Sequence, residues 1–188
     1  MKKRVFLAGE GKTELGRWAS QVTRDRDDES NGAVAALLGK VSSRNWEVAD
    51  ACKWKDIKKY RAGDFKSAEE RNVLGVALKA RESNCDLLAF VRDSDGDYER
   101  IESIHRGIEA VSEGLEVVGG CAHPIIEAWA LVFRGELAAE KLSKAKIQQQ
   151  AGALTTNALV ELIQKGDLAT VPPDTHLRRW LDLAKAKL

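Results

Sequence analysis

The chain has 188 residues, 44% hydrophobic and 31% charged, a balance that suits one folded domain with a sizeable core and excludes a disordered or fibrous chain. Thirty Lys and Arg against 29 Asp and Glu leave a net charge of +1, so no chain-wide field announces nucleic acid, and any basic surface must be local. No apolar run approaches the ~18 residues of a membrane span. The basic start Met1-Lys2-Lys3-Arg4 is backed only by Val5–Ala8, which reads as a first strand and not a signal peptide. Cys52, Cys85 and Cys121 are widely spaced, without a CxxC pair or a histidine cluster, and read as reduced thiols of a cytoplasmic protein rather than zinc ligands.

Val5-Phe6-Leu7-Ala8 is a short buried strand. Gly9-Glu10-Gly11-Lys12-Thr13-Glu14 then turns into a helix expected to run to about Val22. A P-loop would need a glycine where Phe6 stands, so that reading fails. What remains is a glutamate at a strand end in front of a helix N-terminus, a place that favours an anion. Arg24–Asn31 is a solvated connection, Ala33–Val41 a short helix and Trp46–Ala51 a second strand. In Lys53–Lys66, Lys53, Lys55, Lys58, Lys59, Arg61 and Lys66 are interleaved with Trp54 and Tyr60, a composition that suits a nucleic-acid strand but equally a solvated loop.

Ala68–Arg81 is a helix with Val73, Leu74, Ala77 and Leu78 on one stripe. Asp86–Val91 is a third strand and Tyr98–Glu113 a helix. Leu115–Val118 is a fourth strand, ended by Gly119-Gly120, and His123–Val132 starts another helix with Pro124 near its first turn. After Arg134 the patterns over Glu136–Gln150, Thr155–Lys165 and Pro172–Leu188 are helical with no strand between them. The expected organisation is an α/β domain over residues 1–133 and a helical extension over 134–188 packed on it.

The stretch Phe90–Asp97 carries the chemistry. Asp93, Asp95 and Asp97 put three carboxylates within five residues, and these repel one another unless something positive sits between them. A hard divalent cation with oxygen ligands is the sharp answer, a solvated acidic loop the plain one. A calcium loop of the EF-hand type is excluded, because Tyr98 and Ile104 stand where its glycine and bidentate glutamate belong. Strands alternating with helices imply a mostly parallel four-stranded sheet whose C-terminal ends share one ligand-binding edge. Glu10, Asp93, Asp95, His123 and Glu127 then converge on that edge, Glu10, Asp93 and Asp95 as a set able to hold Mg²⁺ or Mn²⁺ and His123, by location, as a phosphate or substrate contact.

Leu7-Ala8-Gly9-Glu10-Gly11-Lys12-Thr13-Glu14 together with Phe90-Val91-Arg92-Asp93-Ser94-Asp95 resembles the TOPRIM domain of topoisomerases, primases and OLD-family nucleases. The shared features are a glycine-flanked glutamate after the first strand and a hydrophobic strand ending in Asp-x-Asp. His123-Pro124-Ile125-Ile126-Glu127-Ala128-Trp129 is similar to the P-x-x-E-x-W helix start of small stand-alone TOPRIM-like proteins, some of them found in bacterial anti-phage systems and often beside an ATPase. The resemblance spans roughly residues 4–133 and leaves the tail uncovered. It implies a TOPRIM-like (Rossmann-like) fold with Glu10 as general acid/base or metal ligand and Asp93 and Asp95 as the primary ligands of Mg²⁺ or Mn²⁺. Glu14, Asp97 and Glu127 are further ligand candidates, and Lys12 is a phosphate contact. The implied activity is metal-assisted phosphodiester hydrolysis of DNA or RNA, in the setting of an anti-phage effector. The other implied role is a non-catalytic module that binds metal or phosphate and regulates a partner ATPase. Plainer roles stand beside these: Glu14 as a carboxylate favoured by a helix dipole, Asp97 as a helix cap, Trp129 and Trp180 as core, and His105 as a structural or exposed side chain.

Overall fold

The computed structural model describes residues 2–20, 31–43, 45–57, 67–152 and 154–188. Four strands, β1 (Lys3–Gly9), β2 (Trp46–Lys53), β3 (Leu87–Asp93) and β4 (Glu116–Ala122), form one all-parallel sheet in the order β2-β1-β3-β4. The helices among the described residues are α1 (Lys12–Leu15), α2 (Ala33–Val41), α3 (Ala68–Glu82), α4 (Tyr98–Val111), α5 (Ile126–Phe133), α6 (Lys144–Ala151), α7 (Thr156–Lys165) and α8 (His176–Lys187). The architecture is Rossmann-like. The chain leaves β1 toward β2 on one side and returns to place β3 on the other, so the order reverses between β1 and β3. In open parallel sheets that reversal opens a crevice at the C-terminal ends of the two strands, where ligands bind.

Both faces of the sheet are covered, which explains why β1 and β3 read as unbroken apolar runs. Val5, Leu7, Leu87, Ala89, Val91 and Val118 face a core with Leu37 and Leu38 of α2, Trp129 of α5, Ile163 of α7 and Trp180 of α8. Phe6, Ala8, Leu88, Phe90, Val117 and Cys121 alternate to the other face and meet Val73, Val76 and Ala77 of α3 and Ile101 and Ile104 of α4. The helices after Arg134 therefore share one core with the sheet. Trp180, 2% exposed, donates its indole N–H to the Phe90 carbonyl at 3.0 Å, which fixes α8 to a central strand. Cys52, Cys85 and Cys121 are free thiols, and no helix of the described residues is long and apolar enough to cross a membrane.

Two expectations are corrected. The helix after Gly11 does not run to Val22: α1 stops at Leu15, because Gly16 takes φ +57°, and a 3₁₀ turn follows over Arg17–Ala19. Gly119-Gly120 do not end β4, which continues to Ala122. Gly119 pairs across the sheet with Phe90, and the Phe90 ring lies where a side chain at 119 would be, with an added Cβ only 2.2 Å from Cε1. The glycine is there to seat the ring. The connection expected over Arg24–Asn31 lies, except for Asn31, outside the described residues.

Gly119→Ala is expected to destabilise the fold by ~1–3 kcal/mol through overpacking against a buried ring. Gly39→Ala, on the exposed side of α2 with nothing nearer than 4.0 Å to the added carbon, should stabilise it by ~0.5–1 kcal/mol. Urea denaturation of the two variants beside the parent checks both signs.

Candidate functional site

The site forms where β1, β3 and β4 end together. Glu10 follows β1 directly, and its Oε1 accepts the backbone N–H of Asp93, the last residue of β3, at 3.1 Å. The Arg92 guanidinium pairs with the same oxygen. Glu14 folds back from α1 so that its Oε2 accepts the Gly11 N–H at 2.8 Å. That fold needs Gly9, since a Cβ there would stand 2.5 Å from the Glu14 Cβ. Asp93 Oδ1 in turn accepts the N–H of Ile126 at 2.8 Å, which ties β3 to the start of α5, where Glu127 sits in the first turn. Three separate segments thus bring four carboxylates, Glu10, Glu14, Asp93 and Glu127, to one edge.

The charges there are poorly balanced. Asp93 is largely desolvated, and burial first, then the fields of Glu10, Glu14 and Glu127, push its carboxyl up to about 8 against the pull of the Ile126 N–H. Glu14, only 5% exposed, is also raised, again by burial before the repulsion of Glu10 and Glu127. Arg92 is the facing cation. Burial works against its charge, but Glu10 and Glu69 outweigh this and hold the guanidinium firmly protonated. It lies 5.9 Å from the Trp54 ring centroid and bounds a cavity of about 510 Å³ with Glu10, Trp54, Lys55 and Asn72.

Asp95 takes a different course. It follows Ser94 with φ +54°, and its carboxylate is held by Lys144 of α6 at 2.6 Å and Arg100 of α4 at 2.7 Å. Slight burial pushes its pKa up, but those two cations prevail, hold it below the usual carboxylate range and keep it ionised. Asp97 caps α4, accepting the N–H groups of Glu99 and Arg100 at 3.0 and 3.2 Å. The structure therefore gathers Glu10, Glu14, Asp93 and Glu127, and leaves Asp95 and Asp97 committed to other partners. Lys12 is exposed at the start of α1. His123 Nδ1 is 2.9 Å from the Oγ of fully buried Ser94. Among the described residues, no three His, Cys, Asp or Glu side chains stand as a ready-made ligand group for a metal ion.

Of the basic and aromatic stretch, Trp54 is corrected to a core residue: it is 6% exposed, 5.3 Å from the Phe90 ring, and its indole donates to Glu69 at 3.1 Å. Lys58, Lys59, Tyr60, Arg61 and Lys66 lie outside the described residues. Sequence reasoning missed Arg92, Arg100 and Lys144, the cations nearest the acidic edge. A cation between the apolar strand and Asp93 was the available signal for Arg92; Lys144, 49 residues from its partner, gave none.

Because Asp93 binds its proton more tightly folded than unfolded, its contribution to stability is present below pH ~4 and lost as pH rises toward 8. In EDTA, Asp93→Asn is expected to match the parent near pH 4 and exceed it increasingly toward pH 8, by up to ~1.4 kcal/mol per pH unit. Thermal melts of both proteins across this range check the sign. Comparison of the chain with protein-family models, with curated proteins and with solved structures gave no match.

Proposed function

We propose that this edge binds a divalent cation and serves metal-dependent phosphodiester hydrolysis of nucleic acid. The observation that supports the reading is the convergence of Glu10, Glu14, Asp93 and Glu127 at the crevice between β1 and β3, with one guanidinium facing them. The donors are all carboxylate oxygens, which suits Mg²⁺ or Mn²⁺ and not a soft metal. Asp93 and Glu10 would hold the ion, with Glu14 and Glu127 beside them. Once bound, it supplies charge neutralisation at a phosphoryl oxygen and a more acidic water. The chain's own part is positional. Arg92 and the Asp93 N–H both engage Glu10 Oε1, so Oε2 is the oxygen that would face the ion, and Arg92, held over Trp54, would offer its fork to a phosphate oxygen. The TOPRIM resemblance of the two motifs points the same way, toward DNA or RNA.

One observation favours a second reading. Two of the three residues expected to be primary, Glu10 and Asp95, already carry protein cations: Arg92 on the first, Lys144 and Arg100 on the second. Such a site fits a non-catalytic module that binds metal or phosphate and regulates a partner ATPase.

The test incubates purified protein with plasmid, single-stranded DNA and total RNA in Mg²⁺, Mn²⁺ or EDTA. Cleavage that needs the metal and falls by at least ~10²-fold in Asp93→Asn and in Glu10→Gln is the expected result. No cleavage, with a cation-dependent rise in Tm that Asp93→Asn abolishes, selects the regulatory module. Equal cleavage by parent and variants would place the chemistry elsewhere.

A further inference from the structure

A second cavity, of about 730 Å³, opens beside Asp95 between the start of α4, the β4–α5 connection, α6 and the start of α8. Its size is that of a site for a small organic group. Three rings stand in a row along it. The Tyr98 and His123 centroids are 5.1 Å apart, and those of His123 and His176 are 5.5 Å apart, each pair tilted by 39°. The rings come from three elements widely separated in sequence, and the middle one is anchored by the buried Ser94 hydroxyl. Tyr98 is 67% exposed and Leu137 50%. Two of the three large apolar side chains most exposed among the described residues thus line the same cavity. Burial lowers the His123 pKa, and burial with the fields of His123, Arg179 and His105 brings His176 down to about 4, so both imidazoles are neutral rings at pH 7. Lys141 and Lys144 line the cavity beside the carboxylates of Asp95, Glu140 and Asp174, Lys144 being paired with Asp95 and Glu140 taken up by the His176 and Leu177 N–H groups.

We infer that this cavity receives one unstacked base of a single-stranded nucleic acid, with Tyr98, His123 and His176 as the stacking wall and Lys141 and Lys144 meeting the adjoining phosphate. The inference deepens the proposed hydrolysis by naming its substrate as a single strand, and to that extent rests on it. Neutral aromatic faces accept any base, and lysines supply the charge for the backbone. A base in a duplex is stacked and paired and cannot enter such a pocket without being extruded. Tyr98 is exposed on the first turn of α4, so its replacement leaves the core intact.

The experiment is fluorescence anisotropy with a labelled 12-nucleotide single strand, the same sequence as a duplex, and unlabelled nucleoside monophosphates as competitors, all in EDTA so that nothing is cleaved. Expected are tighter binding of the single strand than of the duplex, about tenfold loss in Tyr98→Ala, and retention in Tyr98→Phe. Equal binding by parent and Tyr98→Ala, equal binding of duplex and single strand, or no binding of the strand overturns the inference. Tyr98-dependent binding of monophosphates without binding of the strand does so as well, assigning the cavity to a free nucleotide. The two readings fail separately. Tyr98-dependent strand binding by a protein that cleaves nothing removes the hydrolysis and keeps the pocket. Metal-dependent cleavage that Tyr98→Ala leaves unchanged on single strands keeps the hydrolysis and removes the pocket.

Discussion

The Glu10 carboxylate joins the end of β1 to the end of β3, accepting the Asp93 N–H while Arg92 grips it from the same strand. Everything else at the sheet edge is arranged around that junction. It fixes the crevice at the point where strand order reverses, places Asp93 with its side chain toward Ile126, and leaves Glu14 and Glu127 close enough to raise the Asp93 carboxyl. A backbone N–H and a guanidinium on one carboxylate make a charge-assisted contact, about twice as strong as a neutral hydrogen bond. The sheet therefore closes on the same group that the chemistry would recruit.

Charge explains why the edge divides into two halves. Lys144 and Arg100 together neutralise Asp95, so that half is stable as it stands. Arg92 is paired with Glu10 and the field of Lys144 reaches Glu10 and Asp93, while half-buried Asp93 and buried Glu14 form no ion pair among the described residues. Buried carboxylates left in this state bind a proton or a metal ion. The half that is satisfied borders the ring-lined cavity, and the half that is not lies over the crevice.

Much of this was legible in the sequence. Val5–Ala8 and Leu87–Val91 are continuous apolar runs because parallel strands are buried on both faces, and the parallel order alone predicted that Glu10, Asp93 and Glu127 meet. Trp129 and Trp180 as core followed from helical spacing, whereas Asp97, expected as a further metal ligand with a helix cap as the plainer role, is the cap. What was not legible depended on distant partners. Asp95 looked like a ligand because its sequence neighbours are acidic, and Lys144, which holds it, arrives on a helix 49 residues on. Gly119-Gly120 looked like a strand end because the ring that requires Gly119 belongs to another strand. The cavity of Tyr98, His123 and His176 joins three segments with no common motif.

The bond between the Trp180 indole and the Phe90 carbonyl spans 90 residues, and the face of the sheet that Trp180 covers is shared by β1, β3 and β4. During synthesis the strands emerge long before α8 does. Until residue 184 has followed them, one face of the sheet lacks the Leu177, Trp180, Leu181 and Ala184 side chains that cover it. Contacts of such long sequence separation form late, because the loop they close must be ordered first. His176 cannot reach His123 before then either. A nascent chain would therefore carry the acidic motifs before the face of the sheet beneath them is covered.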